Sequence, residues 1–234
     1  KKFLEMPNIY SMASKNDRKL VQRLISNINQ NNIPGDLVEI GVWKGGMSIW
    51  MKALDEYTNH SSNNILHSQG CFRRNLWLFD MFKYFPEPRE CYHPINKKDS
   101  SIHVITSLLY NKNSNSVHSV DQVKDSFKKF DLLDERVHFV EGDIVYTVPN
   151  QHISQIALLR IDSDYYHSIK ISLNNLYWKI VKGGYIIIDD YHNPVVGAKD
   201  AVDEFRNQHH INNPIIDIES SGTCSQKNSI YWQV

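Results

Sequence analysis

Ile33-Pro34-Gly35-Asp36-Leu37-Val38-Glu39-Ile40-Gly41-Val42-Trp43-Lys44-Gly45-Gly46-Met47-Ser48 is the stretch on which the fold reading turns. Ile33-Pro34-Gly35 breaks a preceding helix, and Leu37 to Ile40 is a short apolar run that reads as a buried strand. Glycines then turn the chain into a helix from Met47 to Tyr57. Their spacing, G-x-x-x-G-G, is neither the G-x-G-x-x-G of dinucleotide sites nor a phosphate-cradling G-K-[ST] loop. Glycine there lets the backbone turn tightly and lets a ligand come close to it.

The same alternation continues outward. Asn16-Asp17 can cap a helix carrying Leu20, Val21, Leu24, Ile25 and Ile28. Further strands are expected at Leu76–Phe79, Val137–Val140, Ile156–Ile161 and Tyr185–Ile188, with two last ones at Ile215–Ile218 and Ile230–Trp232. Helical spacing marks Val120–Phe130, Ile169–Ile180 (stopped by Gly183-Gly184) and Ala198–Gln208. Strands alternating with helices predict an α/β fold with a mostly parallel sheet flanked by helices on both faces. At 234 residues the chain fits one domain. Two stretches, Thr58–Asn75 and Pro86–Asn115, read as surface insertions within it.

In such sheets ligands sit beyond the carboxyl ends of the strands. Glu39, Asp80, Asp162, Asp189 and Asp190 all fall at or near such ends. An acidic residue two before Gly41 suits a cationic ligand, and S-adenosylmethionine carries a sulfonium and an ammonium with no phosphate. Gly41, Trp43 and Ser48 belong to the same loop. Asp80 can accept from both ribose hydroxyls or cap a loop. Asp143 can reach an adenine amine or cap a turn. Asp162, Asp189 and Asp190 would repel one another unless a cation bridges them. Magnesium suits such hard oxygens, and pairing with Arg160 is the alternative. A metal there can orient a hydroxyl and lower its pKa. Asp164, two residues past Asp162, is the first candidate for the base.

Composition narrows the classes. Lys plus Arg and Asp plus Glu number 26 each, so the net charge gives no reason to expect nucleic acid or an anionic membrane as partner. No run of 18 apolar residues predicts a membrane span, and Lys1-Lys2-Phe3-Leu4-Glu5 lacks a signal-peptide apolar region. Cys71, Cys91 and Cys224 have no metal-type spacing and fit free thiols in the cytoplasm.

Taken in order, several blocks resemble the macrocin O-methyltransferase family. They are the opening Ile33–Gly46 stretch, Trp77-Leu78-Phe79-Asp80-Met81-Phe82, Pro86-Glu87-Pro88, Leu159-Arg160-Ile161-Asp162, Gly183 to Tyr191, and Ala201-Val202-Asp203-Glu204-Phe205-Arg206. The resemblance runs from about Pro7 to the C-terminus. It implies a Rossmann-like class I methyltransferase fold with a seven-stranded sheet, S-adenosylmethionine as donor, and magnesium-dependent transfer to a small-molecule hydroxyl, often on a sugar or glycoside. It also implies a homo-oligomer. Carried over by position, Glu39 and Gly41 line the methionine part and Asp80 the ribose. Asp162, Asp189 and Asp190 hold the metal, and Asp164 matches a position proposed as base. Tyr10-Ser11-Met12, within a helical N-terminal segment spanning 1–32, resembles a lid over the active site. Ser163 departs from the family's usual glycine. Some members carry a catalytic histidine ahead of the helix that starts here near Val120, and His118 is close to that place. The rival readings are a catechol-type O-methyltransferase, a nucleotide-binding oxidoreductase, and a binding domain without activity.

Overall fold

The computed structural model describes residues 10–61, 73–83, 118–163, 165–193, 197–218 and 229–234. Asp164, the three cysteines, Pro86-Glu87-Pro88 and the whole 86–115 insertion lie outside the described residues.

The apolar runs become strands in the order expected. β1 (Asp36–Ile40), β2 (Leu76–Asp80), β3 (Val137–Glu141), β4 (Ile156–Ile161) and β5 (Ile180–Ile188) are parallel. β6 (Ile216–Asp217) and β7 (Ile230–Gln233) pair antiparallel and complete a seven-stranded sheet ordered β3-β2-β1-β4-β5-β7-β6. This is the Rossmann-like sheet of the class I methyltransferases.

The helices fall on two faces. α1 (Lys15–Gln30), α2 (Gly46–Ser61) and α3 (Val120–Lys129) cover the face presented by Leu37, Leu78, Leu158 and Ile187. α4 (Ile144–Thr147), α5 (Tyr166–Leu176) and α6 (Ala198–Gln208) cover the face presented by Val38, Leu159, Ile186 and Ile188. Both sets of strand residues are buried, so the runs are continuously apolar rather than alternating.

This two-residue alternation places the polar positions as well. Glu39 and Arg160 continue the Leu37 and Leu158 series and pair in register across β1 and β4. Asp162 and Asp189, just past β4 and β5, continue the same series. All four therefore belong to the α1–α2 face, at the point where the strand order reverses.

Three details differ from the sequence reading. Ser14, not Asn16-Asp17, caps α1, with Asp17 as the reciprocal partner of a capping box. α2 runs to Ser61, so it takes in the start of the expected 58–75 insertion. α5 spans Tyr166–Leu176, a single 3-10 turn follows, and β5 begins at Ile180, so Gly183-Gly184 lies inside a strand. Glycine is needed there because the register with β4 shifts between Ile156 and Leu158, and Gly183 takes a positive φ of 87°. A Cβ on Gly184 would press on the Ala157 carbonyl at 2.9 Å.

Gly41 joins β1 to the site. Its φ is 86°, and a Cβ there would sit 1.9 Å from the Asp162 carbonyl oxygen. Gly41→Ala is expected to lower folding stability by about 3 kcal/mol or more, combining a left-handed backbone penalty with a steric clash. The shift of the urea midpoint measures it. A loss below about 1 kcal/mol would show that the β1–β4 junction relaxes freely.

Candidate functional site

The carboxyl ends of β1, β4 and β5 are held together by one buried cation. Arg160, 4% exposed, directs Nη1 to Glu39 Oε1 at 2.8 Å. Its Nη2 meets Asp162 Oδ2 at 2.8 Å and Asp189 Oδ2 at 2.5 Å. Burial works against the charged guanidinium, but Asp162, Asp189 and Glu39 together outweigh it and raise its pKa above the ordinary value. Burial pushes the Glu39 carboxyl up, against the pull of Arg160 and a hydrogen bond from Ser48.

Glu39 and Ser48, the expected donor contacts, also meet each other. Ser48 Oγ donates to Glu39 Oε2 within the protein. The two side chains are 1% and 0% exposed. The cation that Glu39 meets is Arg160.

The remaining loop positions lie nearer the surface. Asp80 Oδ2 accepts from the backbone N–H of Val42 at 2.7 Å and of Trp43 at 3.2 Å, and its Oδ1 accepts from that of Phe82 at 3.0 Å. The residue thus ties the β1–α2 loop to the end of β2. Trp43 holds a left-handed φ of 50°, uncommon for a bulky residue and a mark of local constraint. Lys44 Nζ stands 4.5 Å from its ring centre, and the His118 ring meets it edge-on at 5.7 Å. His118 reaches this place because Ser119 caps α3 and fixes where the helix starts. Asp143 caps α4, accepting from the Val145 N–H at 3.0 Å. The structure brings Gly41, Trp43, Asp80 and His118 to one side of the Arg160 cluster.

On the other side, Asp189 Oδ1 accepts from the Asp190 backbone N–H at 3.1 Å and from Ser229 Oγ. Asp190 has a left-handed φ of 52°. His192 pairs with Asp217 at 2.7 Å. A cleft of about 460 Å³ lies on this side, lined by Lys19 and Arg23 of α1 and by Asp217, Ile218 and Tyr231. Arg23 donates to the Tyr231 hydroxyl at 2.6 Å. Sequence reasoning missed Ser229 and this cleft, because both depend on the antiparallel return of β7 beside β5. The lysine–arginine pair four residues apart on α1 was the available signal.

Tyr10 and Ser11 cross the start of α2 so closely that a Cβ on Gly46 would lie 2.1 Å from the Tyr10 carbonyl oxygen. Among the described residues no group of three or more His, Cys, Asp or Glu side chains is arranged to hold a metal ion. No described helix is long and apolar enough to cross a membrane.

Comparison with known proteins gives a consistent result. Residues 4–227 match the family described as Macrocin-O-methyltransferase (TylF). The chain is 34% identical over 226 residues to demethyldecarbamoylnovobiocin O-methyltransferase of Streptomyces niveus, covering 97% of this chain and 76% of that protein. It is 29% identical over 213 residues to mycinamicin III 3''-O-methyltransferase of Micromonospora griseorubida, covering 91% and 74%. Among solved structures, that of the O-methyltransferase NovP superposes with a TM-score of 0.79 at 32% identity, covering 96% of this chain and 81% of that one.

Arg160→Met leaves three carboxylates around an apolar side chain. It is expected to cost about 3–5 kcal/mol of folding stability, the range for breaking a buried pair from one side. Adding Glu39→Gln removes the most buried of the stranded charges and is expected to restore at least about 1 kcal/mol. Chemical denaturation of the single and double variants measures both. Strict additivity of the two substitutions would show that Glu39 and Arg160 are not coupled.

Proposed function

The chain belongs to the macrocin O-methyltransferase family, and on that premise we propose that it methylates a hydroxyl of a sugar or glycosylated small molecule. It is an S-adenosylmethionine-dependent O-methyltransferase, which sets aside the oxidoreductase and inactive-domain readings. The sugar acceptor is supported by a relative of Streptomyces olivaceus named for 4'-O-methylation of a dimethoxy-rhamnosyl tetracenomycin, and by a cleft between α1 and β7 that presents Lys19, Arg23 and Asp217.

S-adenosylmethionine supplies the methyl group: the acceptor oxygen forms a bond to that carbon while the carbon–sulfur bond breaks, and S-adenosylhomocysteine leaves. The chain's own part is to position and to move a proton. Gly41, Trp43, Asp80 and Asp143 stand where the donor is expected, at the carboxyl ends of β1, β2 and β3. Asp80, already holding the Val42 and Trp43 amides in place, would take the ribose hydroxyls with its remaining lone pairs. Tyr10 to Met12 would close over that side. The acceptor would enter from the cleft between α1 and β7. Asp164 is the group we assign to receive the hydroxyl proton, with His118 as the other candidate.

We also propose a divalent cation at Asp162, Asp189 and Asp190. What supports this reading is the family resemblance and the clustering of three aspartates at two neighbouring strand ends; in the structure Asp162 Oδ2 and Asp189 Oδ2 pair with Arg160 Nη2, the alternative to a bridging ion. Hard carboxylate oxygens so placed suit magnesium, which when bound would polarise the acceptor hydroxyl and favour its deprotonation.

Isothermal titration with S-adenosylhomocysteine is the first test. The wild-type chain is expected to bind it, and Asp80→Ala to bind about tenfold or more weakly, as loss of charge-assisted hydrogen bonds implies. Equal affinity in the variant would move the ribose contact elsewhere. Turnover on sugar and glycoside acceptors is the second. Asp189→Ala is expected to abolish magnesium-stimulated turnover while retaining S-adenosylhomocysteine binding. Asp164→Asn is expected to slow turnover about 100-fold or more, the scale of a lost general base. Full activity of Asp189→Ala would remove the metal assignment, full activity of Asp164→Asn would pass the proton to His118, and turnover on catechols alone would replace the acceptor class.

A further inference from the structure

We infer that the acceptor carries an anionic oxygen group, set apart from the hydroxyl to be methylated, and that Lys19 and Arg23 of α1 receive it. This inference rests on the reading that the acceptor enters from the cleft between α1 and β7, and it adds the charge that the acceptor brings.

The lining of the cleft supports it. Lys19 and Arg23 stand four residues apart on α1, so they leave the same face of the helix about 6 Å from each other. Both line the cleft of about 460 Å³. Among the described residues neither is matched by a carboxylate. Asp217, the acidic side chain that shares the cleft, is engaged by His192 at 2.7 Å. Arg23 is also held in place, because its Nη2 donates to the Tyr231 hydroxyl at 2.6 Å and its guanidinium carbon lies 5.7 Å from the centre of that ring. A neutral phenol steers the guanidinium without cancelling its charge, and leaves the other N–H donors of the fork for a ligand. The rest of the wall is largely apolar, with Leu20, Ile216 and Ile218, and Ile216 is 46% exposed. A slot that pairs apolar walls with two unmatched cations suits a ligand with an apolar body and an anionic group. A neutral sugar filling it would take water from two charges and return no counter-charge.

The place of the cleft relates that anion to the reacting end. Tyr231 lies two residues past Ser229, whose hydroxyl meets Asp189, and Asp217 is tied through His192 to the loop that leaves β5. An acceptor anchored on Lys19 and Arg23 is therefore bound on the flank of the β5 end. Two sources supply such a group. A nucleoside diphosphate sugar carries phosphates directly on its sugar, and a glycoside of an aromatic acid carries a carboxylate on its aglycone. In either case Lys19 and Arg23 set specificity by charge and take no part in the transfer itself.

Three rhamnosides test this: neutral 4-nitrophenyl rhamnoside, 4-carboxyphenyl rhamnoside and thymidine diphosphate rhamnose. Each is titrated by calorimetry into the full chain saturated with S-adenosylhomocysteine. At least one anionic probe is expected to bind about tenfold or more tightly than the neutral one, the gain of a charge-assisted hydrogen bond. That advantage is expected to shrink at high salt. Which anionic probe leads distinguishes the two sources. Lys19→Gln/Arg23→Gln is expected to remove the advantage while S-adenosylhomocysteine still binds, and Lys19→Arg is expected to keep it. A merely structural role would weaken all three probes together and leave their ratio unchanged. A neutral probe bound as tightly as both anionic ones in wild type would overturn the inference and leave the sugar acceptor standing. An advantage that survives in the double variant would overturn it too, placing the anion elsewhere. Binding of none of the probes would overturn the acceptor reading and this inference with it. Should the double variant fail to bind S-adenosylhomocysteine, Lys19→Gln alone decides: it is expected to lose about threefold or more of the advantage, and an unchanged ratio would overturn the inference.

Discussion

A guanidinium buried among three carboxylates at the reversal point of a parallel sheet is the constraint around which this molecule is organised. An ion taken out of water incurs a penalty of several kcal/mol, and only well-placed opposite charges and hydrogen bonds offset it. Arg160 satisfies that condition because Glu39 lies opposite it on β1, while Asp162 and Asp189 follow directly at the ends of β4 and β5. Ser48 completes the set by donating to the second oxygen of Glu39. Arg160, Glu39, Asp162, Asp189 and Ser48 thus form one electrostatic unit, which joins three strands and a helix at the carboxyl end of the sheet.

The loop above this unit is shaped by close approach. Gly41 lets the β1 turn pass against the Asp162 carbonyl, and Gly46 lets Tyr10 and Ser11 cross the start of α2. Asp80 collects the amides of Val42 and Trp43 and thereby holds a tryptophan in a backbone conformation it would not choose alone. A loop set in advance by such contacts needs little reorganisation when a ligand arrives, which is how preorganised sites gain affinity. The same contacts keep Trp43 and His118 edge to edge beside it.

The antiparallel strand β7 gives the other half of the site its character. It returns alongside β5 with Ile230 opposite Ile188, and so delivers Ser229 to Asp189 and Tyr231 to Arg23. Glycine-turned backbone lies at the β1 end of the carboxylate cluster, and Tyr231 of β7 helps line a cleft against α1.

Much of this was legible in the chain itself. Short apolar runs separated by helical spacing dictate a parallel sheet, since only strands covered on both faces can be apolar throughout. The strand-end rule then singles out Asp80, Asp162, Asp189 and Asp190 without reference to coordinates. What the chain could not disclose is which carboxylate faces which cation. Glu39 and Arg160 are 121 residues apart, and their meeting follows from β1 and β4 being neighbours in a particular register. Ser229 reaches Asp189 only because β7 runs antiparallel. Gly183-Gly184 reads locally as a helix stop, yet the pairing of β5 with β4 and β7 draws both residues into a strand with a bulge. Local pattern determines which segments form elements and which of their ends bear charge. Pairing between distant segments decides whether a buried acid meets a ligand or an arginine, because long-range register has no signature in a short window of sequence.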